Sequence, residues 1–389
     1  MAKLIGNAPN QVPTNADLGS MAFEDRTNYI TKNNPVHQPF RNLIINGDMS
    51  INQRNATINN GTNTNTYAVD RFHMFGAVAN KMSGQQSTTA PTYFKNSFLT
   101  TSLASTTTSA GDAYGVRHII EGSNIVNLSW GSASAKTVTL SFWVRSSITG
   151  TYALALFNKD APNRSYVETY TINSADTFEY KTITIEGDTA GTWLTTNGQG
   201  IQVWWDLGSG SNFNTTAGSW GGGLDVRTSG SSNWIGTSGA TFYITGVQLE
   251  AGTSASDFEF LPRDVNLNRC HRYCYVPSNE GTSGDGYVFA WGYANTSSQG
   301  VYFMPLPTLM RSQPTLVLKN TSNALEQGYH NATVTQHNTN VVTRSGTVSS
   351  DKNLVLLVGG ASFSGGQGVH LRFKSQSTDE TSFVVDAEL

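Results

Sequence analysis

The chain has 389 residues, 24 Lys plus Arg against 27 Asp plus Glu, a formal net charge of -3 and only 13% charged residues. Hydrophobic residues make up 38%, enough for packed cores, so wholesale disorder is excluded. A phosphate-neutralising nucleic-acid binder is excluded too, as is membrane insertion, because no apolar run reaches about 18 residues.

Neutral Ser, Thr, Asn and Gln carry the polarity, together with 38 Gly. Thr and the aromatics favour strands, and Gly, Asn and Ser favour tight turns. The charged i,i+4 pairs that support long helices are scarce. Met1–Asn15 lacks the apolar core of a signal peptide, and 2 Cys are too few for a disulfide-stapled scaffold. Any extracellular role is then expected without a cleaved leader, for instance on a particle released by lysis.

Residues 1–41 stand apart. Pro9, Pro13, Pro35 and Pro39 sit among Asn, Gln and Thr and disfavour any long element. They predict an extended N-terminal arm, either flexible or a docking or trimerising stem. Short strands are expected from Asn42–Asp48, an apolar run closed by an Asn-Gly turn signal, then over Tyr67–Gly76 and Gly115–Ile120. Thr137–Arg145 alternates most cleanly. Val138, Leu140, Phe142 and Val144 share one face; Thr139, Ser141, Trp143 and Arg145 share the other. Tyr152–Phe157, Tyr166–Ile172, Tyr180–Glu186 and Ile201–Leu207 come next, and Thr241–Glu250 closes the series.

Many short strands split by turn residues predict an all-β chain with a jelly-roll-like β-sandwich over residues 42–262. A boundary is expected near Leu261–Asn266, where Pro262 precedes a basic, aromatic segment reaching Tyr275. A second, smaller β domain over 263–389 is read from Tyr287–Trp291, Val301–Met304, Leu316–Lys319, Asn353–Val358, Val369–Phe373 and Phe383–Asp386.

Catalytic motifs are missing: no phosphate-cradling glycine loop, no zinc-protease helix, no nucleophile elbow. His330 and His337 have no third ligand near them in sequence. The same lack removes zinc or thiol chemistry from Cys270, His271 and Cys274, so both cysteines read as reduced packing residues. Asp160, Glu168, Asp176, Glu179, Glu186, Asp188, Asp206 and Asp225 are the acids available for a glycosidase-type pair, and solvated sheet or loop acids explain them better. No enzyme activity and no cofactor are expected. Calcium is the one ion left open, with Asp48 and Asp70 as early ligands that serve equally as turn caps.

The tryptophans say more. Alternation in Ile201–Leu207 sends Ile201, Val203, Trp205 and Leu207 inward, and Trp204 outward beside Gln202 and Asp206. Trp143 is outward next to Arg145. An exposed flat ring flanked by amide, carboxylate and guanidinium groups can stack on a sugar's C–H face while the polar groups bond its hydroxyls. Trp220 and Trp234, in Gly/Ser loops, extend this candidate site. Both serve equally as plugs packed onto the sandwich, and any exposed ring equally anchors an oligomer interface.

An ordered set of strings resembles the carbohydrate-binding-module-like region of bacteriophage tail fibre proteins of the cyanophage type. They are FRNLIINGDMSINQR at Phe40–Arg54, TYAVDRF at Thr66–Phe72 and FYITGVQLEAG at Phe242–Gly252, with Val138–Ser147, Arg164–Ile172, Phe178–Leu194, Phe258–Pro262 and Leu267–Tyr273. Asn10–Asp25 resembles the segment that joins such fibres to the virion, and Met310–Pro314 and Val384–Leu389 resemble segments C-terminal to the module in some fibres. The resemblance implies a structural virion protein, made in the host cytoplasm and assembled as a homotrimer. It would attach the particle to bacterial surface polysaccharide or lipopolysaccharide, with residues 1–41 meeting other tail or baseplate proteins and 263–389 as a receptor-binding tip. Binding without cleavage is implied; a connector or decoration protein that binds no glycan, and a polysaccharide depolymerase, are the alternatives. Related sandwiches that hold calcium carry an Asp in the last strand, where this chain has Gly246.

Overall fold

Period-two alternation builds the two sheets of the sandwich. Val138, Leu140, Phe142 and Val144 point into one core with Tyr152, Leu154, Leu156, Val203 and Trp205. The computed structural model describes residues 40–158, 163–277, 288–318, 325–329, 342–344, 351–359, 363–364, 366–373 and 383–389. The arm expected over 1–41 therefore lies outside the described residues apart from its last two, as do Asp160, His330 and His337. Residues 42–389 form one compact unit.

Strands β1 (Ile58–Asn59), β2 (Thr66–Val69), β3 (Phe72–Gly76), β4 (Met82–Ser87), β5 (Ser97–Ser102) and β6 (Tyr114–Glu121) come first. The sandwich is completed by β7 (Val138–Ser146), β8 (Gly150–Phe157), β9 (Arg164–Ile172), β10 (Glu179–Ile185), β11 (Gln199–Asp206), β12 (Trp220–Gly222) and β13 (Thr241–Ala251). One sheet runs β1-β4-β5-β13-β7-β10 and the other β12-β9-β8-β11-β6-β3-β2. Their pairs are antiparallel, and successive strands cross repeatedly between the sheets, which makes a jelly-roll-like β-sandwich. Rings from both sheets interlock: Phe142 meets Trp205 edge-on at 5.8 Å and Tyr170 at 5.2 Å.

The first expected strand is different in form. Residues 42–48 are a bend rather than a strand, with Leu43, Ile44 and Ile45 buried. The turn signal explains this: Asn46 adopts φ +62°, and its buried amide donates to the carbonyls of Ile51 (2.8 Å) and Asp70 (2.9 Å). A side-chain hub that satisfies neighbouring backbone replaces a ladder.

After Pro262 the chain forms α1 (Arg263–His271), with Asp264 in its first turn and Arg269 and His271 in its last, charges that complement the helix dipole. Cys270 on this helix and Cys274 just beyond it are both free and buried, and burial pushes both thiols well up. Then come β14 (Cys274–Tyr275), β15 (Val288–Thr296), β16 (Gln299–Pro305), β17 (Thr315–Leu318), β18 (Leu325–Tyr329), β19 (Val342–Arg344), β20 (Asn353–Gly359), β21 (Gly368–Phe373) and β22 (Phe383–Asp386). They make two further sheets, β14-β22-β17 and β18-β21-β15-β16-β20-β19, around a core that includes Ala290, Tyr302, Met304, Leu356 and Leu371.

A buried polar seam ties these sheets to the sandwich. The residues after β22 carry Glu388 between Arg71 and Arg54, the latter at 3.4 Å. Across the same seam Glu121 accepts hydrogen bonds from Arg272 (2.8 Å) and Tyr273 (2.7 Å). Charges this deep are tolerable only in pairs, and removing one partner costs about 3–5 kcal/mol.

Candidate binding site

The outer face of the β10 side of the first sheet carries a groove. Three register pairs make its floor: Trp143 opposite Tyr180, Ser141 opposite Thr182, and Thr139 opposite Thr184. At about 3.4 Å per residue these rows extend over roughly 14 Å. The rings of Trp143 and Tyr180 lie 5.3 Å apart at 45°, and the Thr139 and Thr184 hydroxyls are 3.2 Å apart. The floor thus grades from aromatic to hydroxyl along the strands.

Residues 253–260 form one wall, fixed by buried side chains of β13. Gln248 donates to Glu250 (2.9 Å) and to the carbonyl of Asp257 (3.2 Å), and accepts from the Glu259 amide at 2.8 Å. Glu250 in turn accepts from the Ser256 amide (2.8 Å) and hydroxyl (2.7 Å). These bonds hold Phe258 and Phe260 against Phe94, with the three ring centroids 4.8–5.2 Å apart. Tyr93, beside Phe94, completes the lip.

Room for the aromatics comes from Gly246. The register of β13 against β7 shifts between Thr245 and Gln248, and Gly246 within that bulge has φ +60°. A Cβ there would lie 2.7 Å from the Phe94 ring and 3.0 Å from that of Trp143. The glycine that departs from the calcium pattern is thus the residue that opens the groove. Its volume is about 880 Å³, and among the described residues its lining includes Asp257 but no Lys, Arg or His. Rings, hydroxyls and little charge suit a hydroxyl-rich, uncharged ligand.

Of the expected site residues, Trp143 is the one placed in this groove. Arg145 stays on the same face but pairs with Asp176 (3.0 Å) and covers the Tyr243 ring at 4.9 Å. Trp204 does leave the sandwich core, as alternation requires, yet it is only 3% exposed. Phe75 and Phe157 flank it, the Arg117 guanidinium sits 5.3 Å over its ring, and Phe213, in the loop after β11, and Val226, in the connection after β12, complete a separate apolar cluster. The exposed platform expected at Trp204 is therefore corrected: a loop covers it.

Its neighbours go the same way. Buried Gln202 accepts from Arg117 and donates to Gln199, both at 2.8 Å. Buried Asp206 accepts from the Ser209 amide at 2.9 Å. Burial raises its pKa, against the pull of Arg227 and the Ser209 and Gly208 amides. Trp234 is fully buried in the sandwich core, donating to the Thr241 carbonyl at 3.2 Å, so it is a plug. Trp220 is half-buried among Trp130, Trp193 and Tyr166 at 5.3–5.5 Å and donates to the Glu186 carbonyl at 2.7 Å.

The early carboxylates act as caps. Asp48 accepts from the Ser50 hydroxyl (3.0 Å) and Asn266 (3.3 Å), and Asp70 from the Gln53 amide (2.9 Å). Among the described residues no three His, Cys, Asp or Glu gather as a metal-binding group. Tyr180, Tyr93, Phe94, Phe258 and Phe260 are groove residues that the sequence reading did not single out. Tyr180 had a usable signal, since it heads an expected strand on the phase of Thr182 and Thr184.

Comparison of the sequence with protein-family models and with curated proteins gives no match. Among solved structures, a family 4 carbohydrate-binding module aligns over 54% of this chain and 99% of its own, with 13% identity and a TM-score of 0.29. The enzymatically active domain of tailspike protein 4 from bacteriophage CBA120 aligns over 55% of this chain but 22% of its own, with 13% identity and a TM-score of 0.29. A family 11 carbohydrate-binding module from Clostridium thermocellum, in complex with a β-1,3-1,4-mixed-linked tetrasaccharide, covers 49% of this chain and 95% of its own at 10% identity and a TM-score of 0.27. Likenesses this distant leave the function to be argued from the chain's own residues.

Proposed function

We propose that the chain is a structural phage tail fibre protein whose sandwich holds bacterial surface glycan, polysaccharide or lipopolysaccharide, during adsorption. The observation that carries this reading is the groove, with the Trp143–Tyr180 pair at one end of a hydroxyl-lined floor. The strings that resemble fibre modules also build part of it. Trp143, Tyr180, Gly246, Phe258 and Phe260 all fall within them. Binding without cleavage is part of the proposal: the lining includes a single carboxylate, where glycoside hydrolysis ordinarily uses two.

A second reading, assembly through protein contacts, is favoured by the outer face of the β15–β16 sheet. Trp291, Tyr293 and Phe303 stand there 64%, 44% and 51% exposed, a surface that a homotrimer or a tail or baseplate partner would cover. Residues 1–41 are the proposed link to other tail proteins, and the virion the proposed location.

Cell adsorption and sedimentation test the two readings together. A trimer that adheres to host cells is expected, with Trp143→Ala weakening adhesion by about 1–3 kcal/mol while remaining folded. Equal adhesion by both proteins would overturn the groove as the binding site. A trimer that ignores host cells would favour the assembly reading instead.

A further inference from the structure

Tyr93 occupies a place in the backbone that a large side chain normally avoids. The Phe94 amide donates to the Pro91 carbonyl at 3.1 Å, closing a tight turn whose third residue is Tyr93 with φ +74°. A turn with that φ at its third position ordinarily holds glycine or asparagine there, because a Cβ meets the backbone. Among the described residues nothing compensates. Tyr93 is 90% exposed, and among the described residues its ring stacks on no other and its hydroxyl has no hydrogen-bond partner. The strain and the exposed apolar ring are both unfavourable as they stand. Yet the turn places this residue among those that line the groove, together with Trp143 and Tyr180.

We infer that Tyr93 is a clamp that stacks on a neutral glycan lying on Trp143 and Tyr180, in a groove that takes neutral in preference to acidic glycans. This rests on the groove being the glycan site. A pyranose has two apolar faces, and a groove with rings on its floor and at its lip can contact both. Acidic sugars need a cationic partner when they lose water, and the described lining residues include no Lys, Arg or His. A ring held in an unfavourable turn is pre-positioned, so little side-chain freedom is lost when the ligand arrives.

The test uses the full chain on an array of neutral hexose and pentose oligosaccharides beside uronic-acid and phosphate-bearing ones. It is paired with thermal melting of Tyr93→Asn, Tyr93→Phe and Trp143→Ala. Asparagine suits the turn and removes the ring. Tyr93→Asn is therefore expected to melt at the same or a higher temperature and to lose about tenfold in affinity, while Tyr93→Phe keeps most of it. Wild-type protein should retain neutral members only. A lower melting temperature for Tyr93→Asn would make the ring structural and overturn the clamp. Full affinity in Tyr93→Asn, with binding lost in Trp143→Ala, would overturn the clamp while leaving the groove intact. Preference for acidic members would overturn the selectivity. Retention of no member, or equal retention by wild type and Trp143→Ala, would remove the groove reading and this inference with it.

Discussion

The two outer faces of the sandwich begin from the same sequence pattern and end differently. Beside β7 and β10 the outward residues Trp143, Tyr180, Thr182 and Thr184 line an open groove, with Thr139 and Ser141 buried at its base. On β11 the outward residues Gln202, Trp204 and Asp206 are sealed beneath a loop. Alternation decides which side of a sheet a side chain takes; it does not decide whether anything lies above it. Cover comes from segments that return from elsewhere in the chain. Over β11 that cover brings Phe213 and Val226. Beside β7, residues 253–260 are pinned at the groove's rim, and Trp143 and the β10 residues Tyr180, Thr182 and Thr184 stay accessible.

This contrast can be broken most forcefully at the covered ring. Trp204→Ala should cost about 3–5 kcal/mol in denaturant unfolding, as expected for emptying a packed aromatic site. Trp143→Ala, at a half-buried ring with an open side, should cost less, about 1–2 kcal/mol. Equal costs for the two would erase the distinction between a covered and an open face. Next in size is Gly246→Ala, which sets a Cβ against Phe94 and Trp143 at φ +60° and should cost about 1–3 kcal/mol. Its ring shifts should appear in the near-ultraviolet dichroism, and an unchanged spectrum and stability would mean that the bulge has slack.

The smallest effect concerns acid. Burial opposes the Glu179 carboxylate, but Lys181 at 2.7 Å and the Asn173 and Ser174 amides outweigh it and hold its pKa at about 2. A depressed carboxylate stabilises the fold fully above its ordinary value of 4.5, and that share is lost as pH falls towards about 2. The β10 edge of the groove should therefore loosen below about pH 4.5. Amide protection factors over 173–181 should fall there, and Lys181→Met should shrink that fall, because it brings the folded-state value back towards 4.5. Acid-insensitive protection would show that the hydrogen bonds, not the charge, hold this edge.

Much of this contrast was legible in the sequence and part of it was not. The inward set of β11, Trp205 included, and the outward position of Trp143 both follow from spacing alone. The burial of Trp204 does not, because its cover depends on contacts with Phe213 and Val226 beyond the strand. One local sign was available: Gly115 in mid-strand, where a Cβ would come 2.4 Å from the Trp204 ring. A glycine inside a strand marks close approach, and here it marks a ring that is packed rather than free. The Phe258 wall was hidden for another reason. Gln248 and Glu250 read as ordinary polar strand residues, and only folding shows that they are spent on the backbone of 256–259.

The seam at Glu388 has a consequence for how the protein is made. Arg71 is bonded to a carboxylate 317 residues later in the chain. The sandwich is complete once β13 ends at Ala251, so at about 5–20 residues per second of synthesis it waits roughly 7–27 s with that arginine lacking its carboxylate. Trimming the last few residues would leave a full-length sandwich permanently in that unfinished condition.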